Sequence, residues 1–345
     1  VLYIVPYYLK QREIQAAQED LALLSIQSTP SPSLKNGIDA LWLLEFSTKN
    51  DADRADLMKR FGNDIRYHQD VLKQNQELQG RRIAELNLYN ESLECSERMA
   101  ECLNAIRADL PKYKAEVEKN AALLANMDGL ADYDIFVPRE WSGDDDSLAI
   151  PFAKFPWVAA YGSKAAAVDW AAGKENEAWQ RVCRNIKIGR NMLHNAPGMI
   201  YVETGTEAIR RNTDLAAQML YEKPEWANRL PAECGGMFDV LDEQEQNLCL
   251  TMQDEFHLYA NLYHMLDGKG RQMMQVSEWR ELMALGNDSQ IKAADFALFF
   301  LPRFDATHNM AQTAPHYASY CKPEAAAVLK ADQKIQRQPQ PSEKT

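Results

Sequence analysis

The stretch LCLTMQDEFHLYANLYHML, residues 248–266, carries the clearest periodicity in the chain. Apolar side chains recur there every three or four residues, which places them along one face of an α-helix. They are Leu248, Met252, Phe256, Tyr259, Tyr263 and Leu266. Gly268 follows and predicts that the helix ends there, since glycine is common just after helix ends.

Four other segments repeat this pattern, beginning at Leu57, Tyr113, Trp179 and Ile209. No segment shows the strict alternation of apolar and polar residues that is typical of half-buried strands. We therefore predict an all-α fold, a multi-helix array or bundle without a substantial sheet.

Small residues at Ala167, Gly173 and Ala178 have the spacing at which two antiparallel helices would touch. This is typical of tetratricopeptide-like helical hairpins, but only one copy is visible, and small residues are common at any helix crossing. Hairpins of this type are thus one option within the all-α prediction.

The composition is that of a globular protein, with 46% hydrophobic and 26% charged residues. The formal net charge is -12 and no cluster of Lys and Arg is present. Because binding to a phosphate backbone depends on such clusters, we predict no nucleic-acid partner.

The first nine residues, VLYIVPYYL, are strongly apolar but too few to span a bilayer, which needs about 20 residues. One interpretation is that residues 1–9 are the remaining part of an N-terminal membrane anchor. The other is an apolar segment packed on the body of the protein. We favour the anchor, and with it a membrane association through the N-terminal segment.

The remaining chain is divided by stretches rich in Pro, Ser and Gly. We predict an anchor-proximal segment and linker, then a helical body that is either one piece or two lobes joined by a long connector, and finally a disordered tail. The predicted bounds are 10–35 for the linker region, 36–330 for the body, 36–132 and 163–330 for the lobes, 133–162 for the connector and 331–345 for the tail.

The six cysteines indicate an oxidising compartment, because two pairs lie close in sequence. Cys234 and Cys249 are separated by a helix-breaking Gly235-Gly236, so a disulfide between them is predicted. Cys95 and Cys102 are also disulfide candidates, but no Gly or Pro lies between them to make the turn that a bridge requires. Buried free thiols are the alternative for both pairs.

Two further cysteines and two histidines were considered for chemical roles. Cys183 lies within a helical stripe and is interpreted as a small core residue, and Cys321 has no assignment. His257 and His264 are weak candidates for acid–base or metal chemistry, since seven residues on a helix separate them by about 10 Å. Partly buried histidines with hydrogen-bond partners are the more ordinary interpretation. We predict no metal and no cofactor.

Aromatic residues crowd the second half of the predicted connector. Their ordinary role would be to dock the connector onto helices. The more specific hypothesis is that they line an aromatic groove that binds a partner or ligand. The residues concerned are Trp141, Phe152, Phe155, Trp157 and Tyr161.

Several short motifs resemble a family of uncharacterised proteobacterial envelope proteins, each with one N-terminal membrane segment and a helical periplasmic body. The motifs are Asn36-Gly37-x-x-Ala40-Leu41-Trp42-Leu43-Leu44, Cys95-x6-Cys102-Leu103-x2-Ile106-Arg107, Ala172-Gly173 ahead of Ala178, and Cys234 through Glu243-x-Glu245 to Cys249 and Glu255-Phe256. The resemblance implies an all-helical fold at the periplasmic face of the inner membrane. It implies no activity.

These observations predict a membrane-anchored periplasmic protein that works by binding another protein or peptide, as a scaffold or accessory subunit. An inhibitor or immunity-type protein against an envelope-targeted toxin is the alternative, since an acidic surface suits a basic toxin. A hydrolase with an unrecognised site is a further alternative, so the sequence leaves catalysis undecided while favouring binding. It does not predict an oligomeric state.

Overall fold

The computed structural model describes residues 4–25, 33–67, 75–86, 98–137, 151–194, 196–266 and 305–330. These residues form fourteen α-helices and no β-strand, so the predicted all-α multi-helix fold is confirmed. The helices are α1 (Ile4–Ala16), α2 (Gln18–Leu24), α3 (Ile38–Trp42), α4 (Asp51–Tyr67), α5 (Gln76–Arg81), α6 (Met99–Ala108), α7 (Leu110–Lys119), α8 (Ala121–Asp128), α9 (Gly162–Ala171), α10 (Glu175–Leu193), α11 (Met199–Glu222), α12 (Cys249–Leu266), α13 (Ala306–Ala318) and α14 (Pro323–Lys330).

The chain divides into two compact units, and the division differs from the predicted lobes. Unit 1 consists of Val1–Ser28 together with Leu248–Thr345, and unit 2 is Thr29–Asn247. The prediction placed the boundary at the longest interruption of the helical pattern, within 133–162. In the structure, residues on both sides of that interruption share one hydrophobic core of unit 2, for example Leu130 and Ile188.

Within unit 2, α9 and α10 form the helical hairpin that the small residues suggested. Ala167 and Ala178 are both fully buried in a common core cluster. The turn is a Schellman motif, in which the Lys174 amide donates to the Asp169 carbonyl and the Gly173 amide to the Trp170 carbonyl. The small residues Ala167 and Ala178 thus lie in one core at the packing of two helices that follow each other in the chain, α9 and α10.

The next helix, α11, approaches α10 so closely that two glycines meet backbone to backbone. A Cβ atom built on Gly205 would lie 2.6 Å from the Gly189 carbonyl oxygen, and one on Gly189 would lie 2.7 Å from the Gly205 carbonyl oxygen. Nearby, the Asn185 side-chain amide donates to Asn212 Oδ1 at 3.2 Å between the same helices. Both asparagines are buried, so this bond fixes the register of the two helices as well as their separation.

Two buried ion pairs attach the predicted connector and the beginning of α9 to other parts of unit 2. Lys154 Nζ lies 3.0 Å from Glu45 Oε1, and both side chains are only 6% exposed. Lys164 Nζ lies 2.9 Å from Glu116 Oε1, and its side chain is 2% exposed. Burial lowers the pKa of Lys154, while the Glu45 carboxylate beside it favours the charged form.

Unit 1 combines the N-terminal helices with the C-terminal ones. Leu24 of α2 packs with Phe256 of α12 and with Ala314 and Ala318 of α13. Residues 10–24, predicted to be part of a linker region, are thus mostly helical and belong to this unit. None of the helices in the described part of the chain is both long enough and apolar enough to cross a membrane.

Replacing Gly205 with alanine should destabilise unit 2, because the added methyl group would overlap the Gly189 carbonyl oxygen. We expect the free energy of unfolding to fall by about 1–3 kcal/mol, as is usual for overpacking. Urea denaturation followed by circular dichroism would measure this loss.

Gly80 of α5 supplies the matched control, because a Cβ atom there would meet no atom within 4 Å. Gly80→Ala should leave stability unchanged or raise it by about 0.5–1 kcal/mol through helix propensity. Equal effects of the two substitutions would contradict the close helix contact.

Candidate binding site

One face of α10 holds the loop formed by residues 231–247, hereafter the 231–247 loop. Three side chains of α10 make the contacts, namely Trp179, Cys183 and Arg190. They are four and seven residues apart, so helical geometry brings all three to one face. The periodicity of a single helix therefore sets where this loop is attached.

A disulfide between Cys183 and Cys234 provides the covalent attachment, with Cα atoms 4.9 Å apart. A second disulfide, between Cys249 and Cys321, lies in unit 1. Cys234 and Cys249 are thus both bridged, but not to each other, which corrects the predicted pairing. Proximity in sequence suggested that pairing, whereas the two residues belong to different compact units.

Each disulfide closes a long stretch of chain, with sequence separations of 51 and 72 residues. The chain-entropy model assigns about 4 kcal/mol of stabilisation to loops of this length. Cys102 is also disulfide-bonded. Cys95 lies outside the described residues, so its predicted bridge to Cys102 stays a prediction.

The Arg190 guanidinium attaches the loop a second time. Its Nε and Nη2 atoms donate to the two carboxylate oxygens of Glu245 at 2.6 and 2.8 Å. Its Nη1 atom donates to the carbonyl oxygens of Gly236 and Asp239 at 3.1 and 2.9 Å. Such bidentate pairing, with both side chains mostly buried, holds the beginning and the end of the loop together.

The end of the loop is ordered by reciprocal bonds between Asp242 and Glu245. Asp242 Oδ1 accepts from the Glu245 amide at 2.9 Å, and Glu245 Oε2 accepts from the Asp242 amide at 2.7 Å. This is the hydrogen-bond pattern of a capping box. The box does not start a helix directly, since the next helix, α12, begins only at Cys249.

Between these attachments the loop exposes apolar side chains to solvent. Val240 is 88% exposed and Phe238 is 42% exposed. The Phe238 ring meets Trp179 edge to face, with ring centroids 6.4 Å apart, so one side of the ring is supported and the other is open. Gly236 has a φ of +73°, a left-handed backbone conformation that glycine adopts without strain.

The loop is also acidic. It contains five carboxylates and no Lys or Arg, and the next cation after Arg229 is Lys269. Glu245 is neutralised by Arg190. The remaining four carboxylates are exposed, at Glu233, Asp239, Asp242 and Glu243. The exposed apolar pair therefore lies in a segment that carries four exposed carboxylates.

The predicted aromatic groove is not formed by the residues that can be placed. Phe155, Trp157 and Tyr161 are all buried in the core of unit 2, where Phe155 packs on Tyr201 with ring centroids 4.9 Å apart. Phe152 lies in a short 3₁₀ helix, and Trp141 lies outside the described residues. The three buried rings dock the connector, which was the ordinary interpretation of this cluster.

His257 and His264 lie on one continuous helix, α12, in different environments. His264 is exposed, whereas His257 is half-buried and hydrogen-bonded to the Leu24 backbone. Burial lowers the pKa of His257. Its Nε2 atom is buried without a hydrogen-bond partner among the described residues. Within the same residues, no group of three or more potential ligands could hold a metal ion.

Asp254 lies one turn before His257, and burial raises the pKa of its carboxyl group to about 7. The negative charge of Glu255 raises the pKa further. The carboxyl therefore binds a proton in the folded state at pH values where an ordinary aspartate is ionised. Within the described residues, no hydrogen bond joins the Asp254 carboxyl group to another acidic or basic side chain.

Unit 2 also contains a cavity of about 100 Å³, lined by residues that include Lys35, Arg54 and Tyr133. Asp51 forms ion pairs with both cations, at 3.3 Å from Lys35 Nζ and 2.6 Å from Arg54 Nη2, and accepts a bond from the Tyr133 hydroxyl at 2.7 Å. The cavity is smaller than the roughly 300 Å³ at which small-molecule sites begin. The 231–247 loop is thus the better candidate site.

Sequence reasoning missed Arg190, Phe238 and Val240. The stretch without Lys or Arg from residue 230 to 268 was a visible signal, and the apolar residues Phe238 and Val240 on either side of Asp239 were another. Nothing in the sequence, however, links Arg190 to Glu245, which lies 55 residues away.

No protein-family model matches the chain, and no curated protein or solved structure is significantly similar to it. The resemblance to a proteobacterial envelope family therefore stays a prediction.

Replacing Arg190 with alanine should lower the free energy of unfolding by about 3 kcal/mol, because it leaves the mostly buried Glu245 carboxylate without its partner. Limited proteolysis should then cut within the 231–247 loop. Arg210→Ala is the matched control, since its pair with Glu207 is largely exposed and should contribute about 1 kcal/mol or less. An Arg190→Ala protein as stable and as protease-resistant as the wild type would contradict the attachment of the loop through Arg190.

Replacing Asp254 with asparagine should stabilise the protein increasingly as the pH rises from about 4 to about 7. Over that range the folded wild type holds a proton on Asp254 that the unfolded chain has released, so wild-type stability falls with pH. Asparagine removes this dependence. Chemical denaturation of both proteins across the range would measure the difference, and a difference that does not change with pH would contradict the prediction.

Proposed function

We propose that this protein is a helical binding protein of the bacterial envelope, anchored by its N-terminal segment at the periplasmic face of the inner membrane. In this proposal it acts as a scaffold or accessory subunit that presents the 231–247 loop to a protein partner. The observation that carries the proposal is the exposure of Phe238 and Val240 on a loop that is attached twice to α10.

Rigid attachment favours binding because little conformational entropy remains to be lost when a partner docks. An aromatic ring that is supported on one side and open on the other is a common centre of protein interfaces. The short connections through Cys234 and Arg190 leave Phe238 and Val240 little freedom other than side-chain rotation.

The disulfides support a location outside the cytosol, where thiols oxidise and bridges persist. Every described cysteine is in a bridge, namely Cys183 with Cys234, Cys249 with Cys321, and Cys102. The apolar N-terminal residues and the family resemblance support the membrane anchor and the bacterial envelope.

A second candidate function is an inhibitor or immunity-type protein against an envelope-targeted toxin. The four exposed carboxylates of the loop favour it, since they would complement a basic toxin. A toxin whose activity is blocked by the wild type, but not by a variant lacking the loop side chains, would select this alternative over a scaffold.

The proposal is tested by placing a photo-crosslinking amino acid at position 240 in the full-length protein, expressed in its native host. We expect a crosslink to a partner protein. The same residue placed at position 221 is the matched control, because Tyr221 is 84% exposed but lies outside the loop. Crosslinks at both positions, or at neither, would overturn the loop as the binding site.

The compartment is checked on the same preparation by digestion without reduction. Peptides linking Cys183 to Cys234 and Cys249 to Cys321 are expected. Free thiols at these four positions would overturn the envelope location.

A further inference from the structure

We infer that the cavity of unit 2 is a binding site for a small zwitterion, an α-amino acid of about the size of glycine. This site is separate from the proposed function, because it involves neither the 231–247 loop nor the compartment. Three observations carry the inference, namely the volume of the cavity, the elements that line it, and one unmatched charge of each sign among its lining residues.

Two parts of the chain line the cavity. One is the end of α8 with the short 3₁₀ helix that follows it, Gly129–Asp132, and the other is the segment 35–54, which contains α3 and the beginning of α4. Ala125, Gly129 and Asp132 follow one another at intervals of four and three residues, so helical geometry brings them to one face. Lys35 and Arg54 are the lining residues that carry a positive charge.

The volume of about 100 Å³ sets the size of the ligand. A cavity of about 150 Å³ accepts benzene, so about 100 Å³ corresponds to a molecule of about four or five heavy atoms, which is the size of glycine. Larger metabolites are excluded, and a single small amino acid is not.

One positive charge at the cavity is in excess, because Lys35 and Arg54 share the carboxylate of Asp51. Arg54 makes the closer ion pair, at 2.6 Å against 3.3 Å, and its Nη1 atom also donates to Thr48 Oγ1 at 2.9 Å. The Lys35 side chain is half-exposed, and an ammonium group has three N–H donors. Lys35 can therefore donate to a ligand carboxylate while it keeps its contact with Asp51.

One negative charge is unmatched as well. Asp132 is exposed, and within the part of the chain that the structure describes its carboxylate has no ion pair or side-chain hydrogen bond. Asn126 adds an acceptor, since its Nδ2 atom donates to the Leu44 and Phe46 carbonyl oxygens and leaves its Oδ1 atom for a ligand. The C-terminal turn of α8 carries partial negative charge of its own. An ammonium group is therefore favoured at this end.

The charged residues that adjoin the lining residues in sequence leave this balance unchanged. Asp53 is paired with Arg81 at 2.9 Å, and Asp128 with Arg181 at 3.7 Å. Asp39 is buried and has an interaction partner. One exposed charge of each sign remains, and neither residue is among the described lining residues, namely Lys49 and Asp134.

A ligand with a single charge fits this arrangement less well than a zwitterion. An anion such as acetate leaves Asp132 unmatched, and a cation such as methylamine leaves the excess charge of Lys35 unmatched. A zwitterion offers a charge-assisted hydrogen bond to both groups at once.

The experiment measures the binding of four small molecules to the purified full-length protein by saturation-transfer NMR titration. The probes are glycine, acetate, methylamine and leucine. We expect glycine to bind with a Kd of about 1 mM, since so small a ligand makes few contacts. Acetate and methylamine should each bind about tenfold more weakly, because each lacks one charge-assisted hydrogen bond. Leucine should also bind about tenfold more weakly, because its side chain exceeds the cavity.

Two substitutions assign the charges to their partners. Asp132→Asn should weaken glycine and methylamine by about tenfold and leave acetate unchanged. Lys35→Gln should weaken glycine and acetate by about tenfold and leave methylamine unchanged. Glu203→Gln and Lys119→Gln are the matched controls, since both positions are exposed and lie outside the cavity, and neither should change the binding of any probe. Circular dichroism confirms that each variant is folded.

Four outcomes would overturn the inference. The first is no saturation transfer to glycine at concentrations well above the expected Kd. The second is acetate or methylamine binding as tightly as glycine, which would show that one charge is sufficient. The third is leucine binding as tightly as glycine. The fourth is an equal effect of a cavity substitution and its matched control, which would place the binding elsewhere on the protein. None of these results bears on the partner of the 231–247 loop.

Discussion

The contact between Gly189 and Gly205 is the constraint on which the arrangement of unit 2 depends. It lets the backbones of α10 and α11 touch, and no residue with a side chain fits at either position without displacing a helix. The Asn185–Asn212 bond then fixes their register. Because α10 is held in this way, its other face presents Trp179, Cys183 and Arg190 in a fixed row.

These three side chains of α10 hold the irregular 231–247 loop in place, so that it presents a defined surface. Seventeen residues without a long helix would ordinarily be mobile, since fixing each backbone unit costs about 1–2 kcal/mol. Here a covalent bond removes part of that freedom before folding, and the Arg190 guanidinium satisfies backbone carbonyls that would otherwise need water. Phe238 and Val240 stay exposed because the loop is attached to α10 on both sides of them, through Cys234 and through Glu245.

Buried charges play a comparable part where the connector meets the core. Lys154 and Lys164 each reach a glutamate from a different segment of the chain, Glu45 and Glu116. Burying such pairs gains little net stability, because desolvation of both ions offsets their attraction. Mispairing would leave a charge buried alone, at far greater cost, so we interpret the pairs as selecting one docking of the connector and of α9, which follows it.

The sequence by itself determined the helical class, because helical periodicity is a local property. It also suggested the hairpin at Ala167 and Ala178 and the presence of disulfides, while leaving other interpretations of both open. It did not determine which cysteines pair, that the chain termini share one unit, or that Phe155, Trp157 and Tyr161 lie inside. Those features depend on contacts between residues far apart in the chain, which one sequence does not encode in any readable pattern. The proposed binding surface also depends on such long-range contacts, since Arg190 and Glu245 meet only after α10 is packed.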